Sequence, residues 1–251
     1  MPTQLAFDTH LTGFRDAMLA FCRYAERAGL DVAVPPCPEW TVRRLIGHQG
    51  MVHRWARASL RGTTIDETAT EKAGRSSSDP VGWLRDGAID FVSAVVAAEP
   101  DVDALVFLHD APPARLFWAR RQHHETTMHA VDALAASLGR LPRAEETWIS
   151  PEVALDGIDE LVLGFVPRSK SRLRLAADAD PVTIAIRPTD ADHSFTVRVS
   201  AEPPVVARHA GHADGDLVVE APAVPLYLAL WHRTAQVDSD IWPLWHATAI
   251  S

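Results

Sequence analysis

The chain has 251 residues, with 33 acidic against 24 basic side chains and a formal charge of −9. A surface of that sign repels a polyanion unless its basic residues gather on one face, which argues against nucleic acid as a partner. Arg, Asp or His interrupts every apolar run before it reaches the roughly 20 residues that span a bilayer, which argues against a membrane protein.

Cys22 and Cys37 form no CxxC pair, and no charged-then-apolar leader is visible, so the expected setting is a reducing cytoplasm. From residue 8 to about 30, Leu11, Phe14, Met18, Phe21 and Ala25 follow steps of three and four, the stripe of a helix with one buried face. Gly29 is placed to end it. VPPCPEW cannot continue a helix, because its prolines lack N–H donors and push the preceding residues to extended geometry. Thr41 can then cap a second helix carrying Leu45, His48 and Trp55. RRLIGHQGMVHRWARASLR, the only basic cluster, has apolar residues at helical spacing and reads as an amphipathic helix with a charged rim.

A polar connection from Gly62 to Asp79 precedes a third helix over about 80–98 and a fourth over about 114–138, which Gly139 and Pro142 close. Four long helices predict a bundle, a fold that gathers ligands from facing helices. Beyond Lys170 the pattern changes. RLRLAAD, VTIAIRP, FTVRVSA and GDLVVEA predict strands, antiparallel and covered on one face. VPLYLALWHRTAQ returns to helical spacing through Leu226, Leu230 and Arg233. The expected fold class is α+β, with a helical bundle over residues 1–168 and a smaller α+β domain over 169–251.

Glu125 and His129 stand four apart on the fourth helix, so they differ by only ~40° in direction and can reach one ion. Joined by His48 from the second helix, they make a three-ligand metal site with an open position. HETTMH is not the HExxH zinc-protease pattern, because its histidines are five apart. Asp132 can accept the second imidazole proton of His129 or lie in solvent. Arg121, one turn before Glu125, can pair with it or hold an anionic ligand group. His53, five positions from His48, turns away from it and reads as a surface or packing residue. His109, His123, His209, His212, His232 and His246 show no partner arrangement. Cys37 stands at a helix entry with no base nearby and reads as structural.

VPPCPEWTVRRLIGHQGMVHRWA, FWARRQHHETTMHAVDAL and APAVPLYLALWHR together resemble the signature segments of the mycothiol-dependent maleylpyruvate isomerase family, within the DinB-like superfamily. The resemblance spans nearly the whole chain. It implies a DinB-like four-helix bundle binding a divalent ion, usually zinc, at positions matching His48, Glu125 and His129. It also implies a sterol-carrier-like α+β module after the bundle, and mycothiol as cofactor. Arg233 in the WHR run matches an arginine that handles substrate in the family, although His232 stands where Gly is usual. Arg121 is the candidate for holding the cofactor.

Two neutral imidazoles and one carboxylate leave a divalent cation with a net charge of +1 and room for an incoming ligand. A low-molecular-weight thiol there would lose its proton and attack a small electrophilic substrate. If the adduct rotates and expels the thiol, the reaction is cis–trans isomerisation; if it persists, the enzyme is an S-transferase. A thiol-independent metal hydrolase and a non-catalytic metal-stabilised accessory protein are the rival classes.

Overall fold

The computed structural model describes residues 5–246, and the chain divides into two units. The first comprises residues 5–106 and 112–142. Its opening helix, α1 (Phe7–Ala28), buries the predicted stripe through Phe14, Met18, Phe21 and Ala25. Gly29 closes it at φ +89°, a conformation costly for a residue with a Cβ. The proline-rich VPPCPEW segment becomes an antiparallel hairpin of β1 (Ala33–Val34) and β2 (Cys37–Thr41). Thr41 ends the hairpin and caps the next helix, its side chain accepting from the Arg44 N–H at 3.4 Å. Hairpin and helix therefore share one residue, which fixes β2 against the start of α2 (Val42–Leu60).

The polar connection from Gly62 to Asp79 is not wholly a loop. It contains α3 (Glu67–Ser76), which Asp66 caps by accepting from Ala69 N–H at 2.9 Å. Only Gly74 is buried along α3, so the helix has no apolar stripe to betray it. That glycine has a packing reason. A Cβ on Gly74 would fall 2.4 Å from the Trp83 ring, and one on Gly50 of α2 would fall 2.1 Å from it. Trp83 belongs to α4 (Pro80–Ala97), so two missing side chains make room for one indole, which Arg54 then covers at 3.7 Å. The longest helix, α5 (Ala114–Leu138), packs along α1 and ends at Gly139 in the left-handed region.

The second unit gathers residues 107–111 with residues 143–246. It therefore takes in α6 (Pro151–Asp159) and the wide helical turn Glu160–Phe165 that continues it, whereas the change of periodicity places the boundary at 168/169. Four strands follow: β3 (Val182–Pro188), β4 (His193–Val199), β5 (Val205–Ala210) and β6 (Leu217–Ala221), in sheet order β5-β4-β3-β6. The sheet is mixed rather than antiparallel throughout, because β6 pairs with β3 in parallel, Ile184 opposite Leu217. Ile184, Ile186, Phe195, Val197, Val199 and Val219 form its buried face. RLRLAAD is not a strand, although Leu175 N–H donates to Ser200 O at 2.9 Å.

Helix α7 (Ala223–Leu230) is buried on every side, which explains its nearly continuous apolar sequence. It packs against α6, where Gly157 leaves space for the Tyr227 ring. A short α8 (Trp242–Trp245) completes the unit. Among the described residues, no helix is long and apolar enough to cross a membrane.

Candidate metal centre

His48, Glu125 and His129 converge in the helical unit, with one ligand atom from each lying within 4.8 Å of the others. The placement follows from helix register. His48 lies on α2, and α5 presents Glu125 and His129 one turn apart on the same face. Glu125 Oε1 is 3.3 Å from His129 Nε2 and 3.9 Å from His48 Nε2. Its other oxygen, Oε2, accepts from Arg121 at 2.5 Å. Glu125 thus turns one oxygen toward the two imidazoles and commits the other to a guanidinium that is only 3 % exposed.

Asp132 does what the three-residue spacing suggested. It is fully buried, and its Oδ2 lies 2.9 Å from His129 Nδ1, so Nε2 is the nitrogen facing Glu125. Burial opposes charge on His129, but Asp132 and Glu125 override it and push its pKa up to about 9. Burial likewise opposes charge on Glu125, and Arg121, His129 and His48 hold it well below the usual carboxylate range. Both carboxylates therefore favour positive charge at His129, whether carried by the imidazole or by an ion at Nε2.

One wall of the site comes from a residue that the sequence reading passed over. Trp40, at the end of the hairpin, sets its ring edge-on to His48 with centroids 5.0 Å apart and nearly parallel to His129 at 6.4 Å. Arg44 lies over the same indole at 4.6 Å. The usable signal was its position, immediately before the Thr41 cap of the helix that carries His48.

His53 is a packing histidine, as its spacing implied, with no exposure. Burial and then Arg54 depress its pKa to about 3, so it is neutral. Its Nε2 lies 2.8 Å from Gln49 Nε2 and 3.0 Å from Thr126 Oγ1, and Gln49 also donates to Thr126 at 3.1 Å. Gln49 adjoins His48 in the chain and Thr126 adjoins Glu125, so this buried trio ties α2 to α5 beside the ligands.

Residues 11–134 match the family model described as the Mycothiol maleylpyruvate isomerase N-terminal domain. The chain belongs to that family through its helical unit. Two solved structures resemble the chain over 96 % of both lengths: the mycothiol-dependent maleylpyruvate isomerase at 14 % identity and TM-score 0.63, and a histidine-to-alanine mutant of it at 13 % and 0.62. At such identities the likeness establishes the fold, a helical part followed by a small sheet domain. No curated protein matches the sequence.

Arg233 lies in the other unit, three residues past the end of α7, where its Nη1 donates to Trp231 O at 2.6 Å. The helical run expected to reach it stops at Leu230. His232, at the position where the family usually has Gly, adopts φ +60° and stacks on His246 with centroids 4.7 Å apart. Neither cysteine forms a disulfide, and Cys22 is buried in the α1 stripe, where burial raises its pKa.

Proposed function

We propose that this protein is a mycothiol-dependent, metal-dependent enzyme that acts on a small electrophilic substrate by cis–trans isomerisation or S-transfer. The observation that carries this reading is the meeting of His48, Glu125 and His129 at one point in a family defined by a mycothiol-dependent isomerase. A mixed nitrogen and oxygen donor set suits zinc, with cobalt and nickel as chemical neighbours. Bound there, a divalent ion supplies a Lewis-acid position that lowers the pKa of an incoming thiol.

The protein's own contribution is positional. Arg121 holds Glu125 Oε2, which limits the carboxylate to one oxygen at the site, and Asp132 holds His129 Nδ1, which fixes the tautomer that leaves Nε2 for coordination. Trp40 covers the flank of both imidazoles and restricts water there. We assign Arg121 a second role as the cation that draws an anionic group of the thiol toward the site, and Arg233 the role of binding a substrate carboxylate. The two cysteines stay reduced in a cytoplasmic setting and take no part in turnover.

The test is thiol dependence. Zinc-loaded protein is incubated with maleylpyruvate and a panel of electrophiles, with and without mycothiol, and the products are read by mass spectrometry. Turnover that needs mycothiol supports the reading. Equal turnover in thiol-free buffer overturns it in favour of metal-activated water.

A further inference from the structure

A second group of metal-ligand side chains lies inside the helical unit, away from the three ligands described above. His10 comes from the start of α1, and His123 and His124 from the middle of α5. They are 0 %, 2 % and 0 % exposed, and one ligand atom from each lies within 4.8 Å of the others. His10 and His123 are also within hydrogen-bond distance of each other through their Nδ1 atoms. The packing has been shaped to admit them: a Cβ on Gly13 of α1 would fall 2.1 Å from His123 Nε2, so only glycine lets that ring lie against the helix.

The spacing fits coordination. Zn–N bonds of about 2.0–2.1 Å in a tetrahedron put neighbouring donor atoms about 3.3 Å apart and the imidazole centroids about 5.2 Å apart. His10 Nδ1 and His123 Nδ1 are 3.2 Å apart. The ring centroids are 5.1 Å apart for His123 and His124, 5.5 Å for His10 and His123, and 6.2 Å for His10 and His124. At the first site, His48 and His129 are also separated by 5.1 Å. The His10 and His123 donors are therefore already at coordination distance, the centroid separation of His123 and His124 agrees with it, and His10 and His124 must close by about 1 Å on that tetrahedral geometry.

We propose that His10, His123 and His124 form a second transition-metal site that clips α1 to α5. An all-imidazole donor set selects zinc, nickel, cobalt or copper over magnesium or calcium, and a water or hydroxide completes the coordination. The site is separate from the first. On a helix the mean direction of residues 123 and 124 differs from that of 125 and 129 by roughly 170°, so α5 carries the two groups on opposite sides.

Wild-type protein is loaded with zinc, dialysed and analysed for metal, and its crystals are mapped by anomalous scattering at the zinc edge. We expect two zinc ions per chain and an anomalous peak about 2 Å from both His10 Nδ1 and His123 Nδ1. His10→Ala should lose that peak and keep the one at His48, Glu125 and His129, whereas His129→Ala should do the reverse. If His10→Ala does not fold, the wild-type stoichiometry and map decide alone. One zinc per chain with no peak between α1 and α5, or a second peak elsewhere, overturns the proposal without touching the first site.

Discussion

Replacing Asp132 by Asn tests whether the buried carboxylate sets the tautomer of His129. Asp132 is fully buried and lies 2.9 Å from Nδ1, so a neutral amide there keeps the volume and removes the charge. If Asn presents its oxygen, Nδ1–H still has an acceptor, but a weaker one, and the imidazole becomes a poorer base toward an ion. If it presents its NH₂, Nδ1 must accept, the ring proton moves to Nε2, and the coordinating nitrogen is blocked. Either orientation lowers metal affinity, and losses at such outer partners run about 10–100-fold, which is about 1.4–2.8 kcal/mol. Competition for zinc against a chromogenic chelator at fixed pH measures this, with Asp90→Asn as a control, because Asp90 pairs with Arg57 on the exposed surface. Asp132→Asn and wild type binding zinc within a factor of about 3, against the 10-fold minimum expected, would refute the reasoning.

His129→Ala removes a proposed ligand, and elemental analysis should show one ion per chain fewer than in wild type; an undiminished total rules out the assignment. Gly74→Ala sets two effects against each other: a gain of about 1 kcal/mol in helix propensity and an overpacking cost of about 1–3 kcal/mol. The cost should win, because the Trp83 ring 2.4 Å from the new Cβ is already confined by Gly50 and Arg54; a urea midpoint that rises instead would mean the ring moves freely. His53 is depressed to about 3 in the folded chain from 6.5, so the unfolded state binds more protons between those values, and the stability His53 contributes is full above about 6.5 and lost as pH falls toward 3. Urea unfolding from pH 7 to 4 should therefore decline more steeply for wild type than for His53→Leu, and parallel curves would count against a buried neutral imidazole.

Two members of the first ligand group were legible from helix geometry, since four residues on α5 place Glu125 over His129 wherever the helix packs, whereas His48, on another helix, was joined to them by the family resemblance. Its surroundings were less so. Trp40 reaches the imidazoles only because a hairpin folds VPPCPEW back against α2, and nothing in the spacing of that segment states a hairpin. The His10, His123 and His124 group was illegible for a similar reason. His10 is 113 residues from His123, and adjacent histidines on a helix point ~100° apart, so no spacing rule unites the three. The fold divides along the same line. The long helices and three of the strands show in periodicity, but β5 was missed because VVARHA is half-exposed at the sheet edge and has little alternation. Periodicity also fails to say which core an element joins: Ala154 and Ile158 give α6 the same kind of buried face as the bundle helices, yet it packs with α7.

Arg233 shows where register arguments stop. Steps of three and four through Leu226 and Leu230 pointed to it as the next residue on a helical face, but α7 has no separate polar face for it to occupy and ends first. What sets its position is the left-handed turn at His232, φ +60°, where Arg233 N–H reaches back to Leu228 O at 2.7 Å. A glycine makes that turn without strain, which gives a backbone reason for its usual presence in the family. A non-glycine residue there costs roughly 1–2 kcal/mol. This chain accepts that cost with histidine, a residue enriched in the left-handed region, and offsets part of it by stacking the ring on His246. The departure from the family pattern therefore keeps the conformation that a glycine would give and changes only the side chain beside Arg233, so the carboxylate-binding role proposed for that arginine does not depend on the missing glycine.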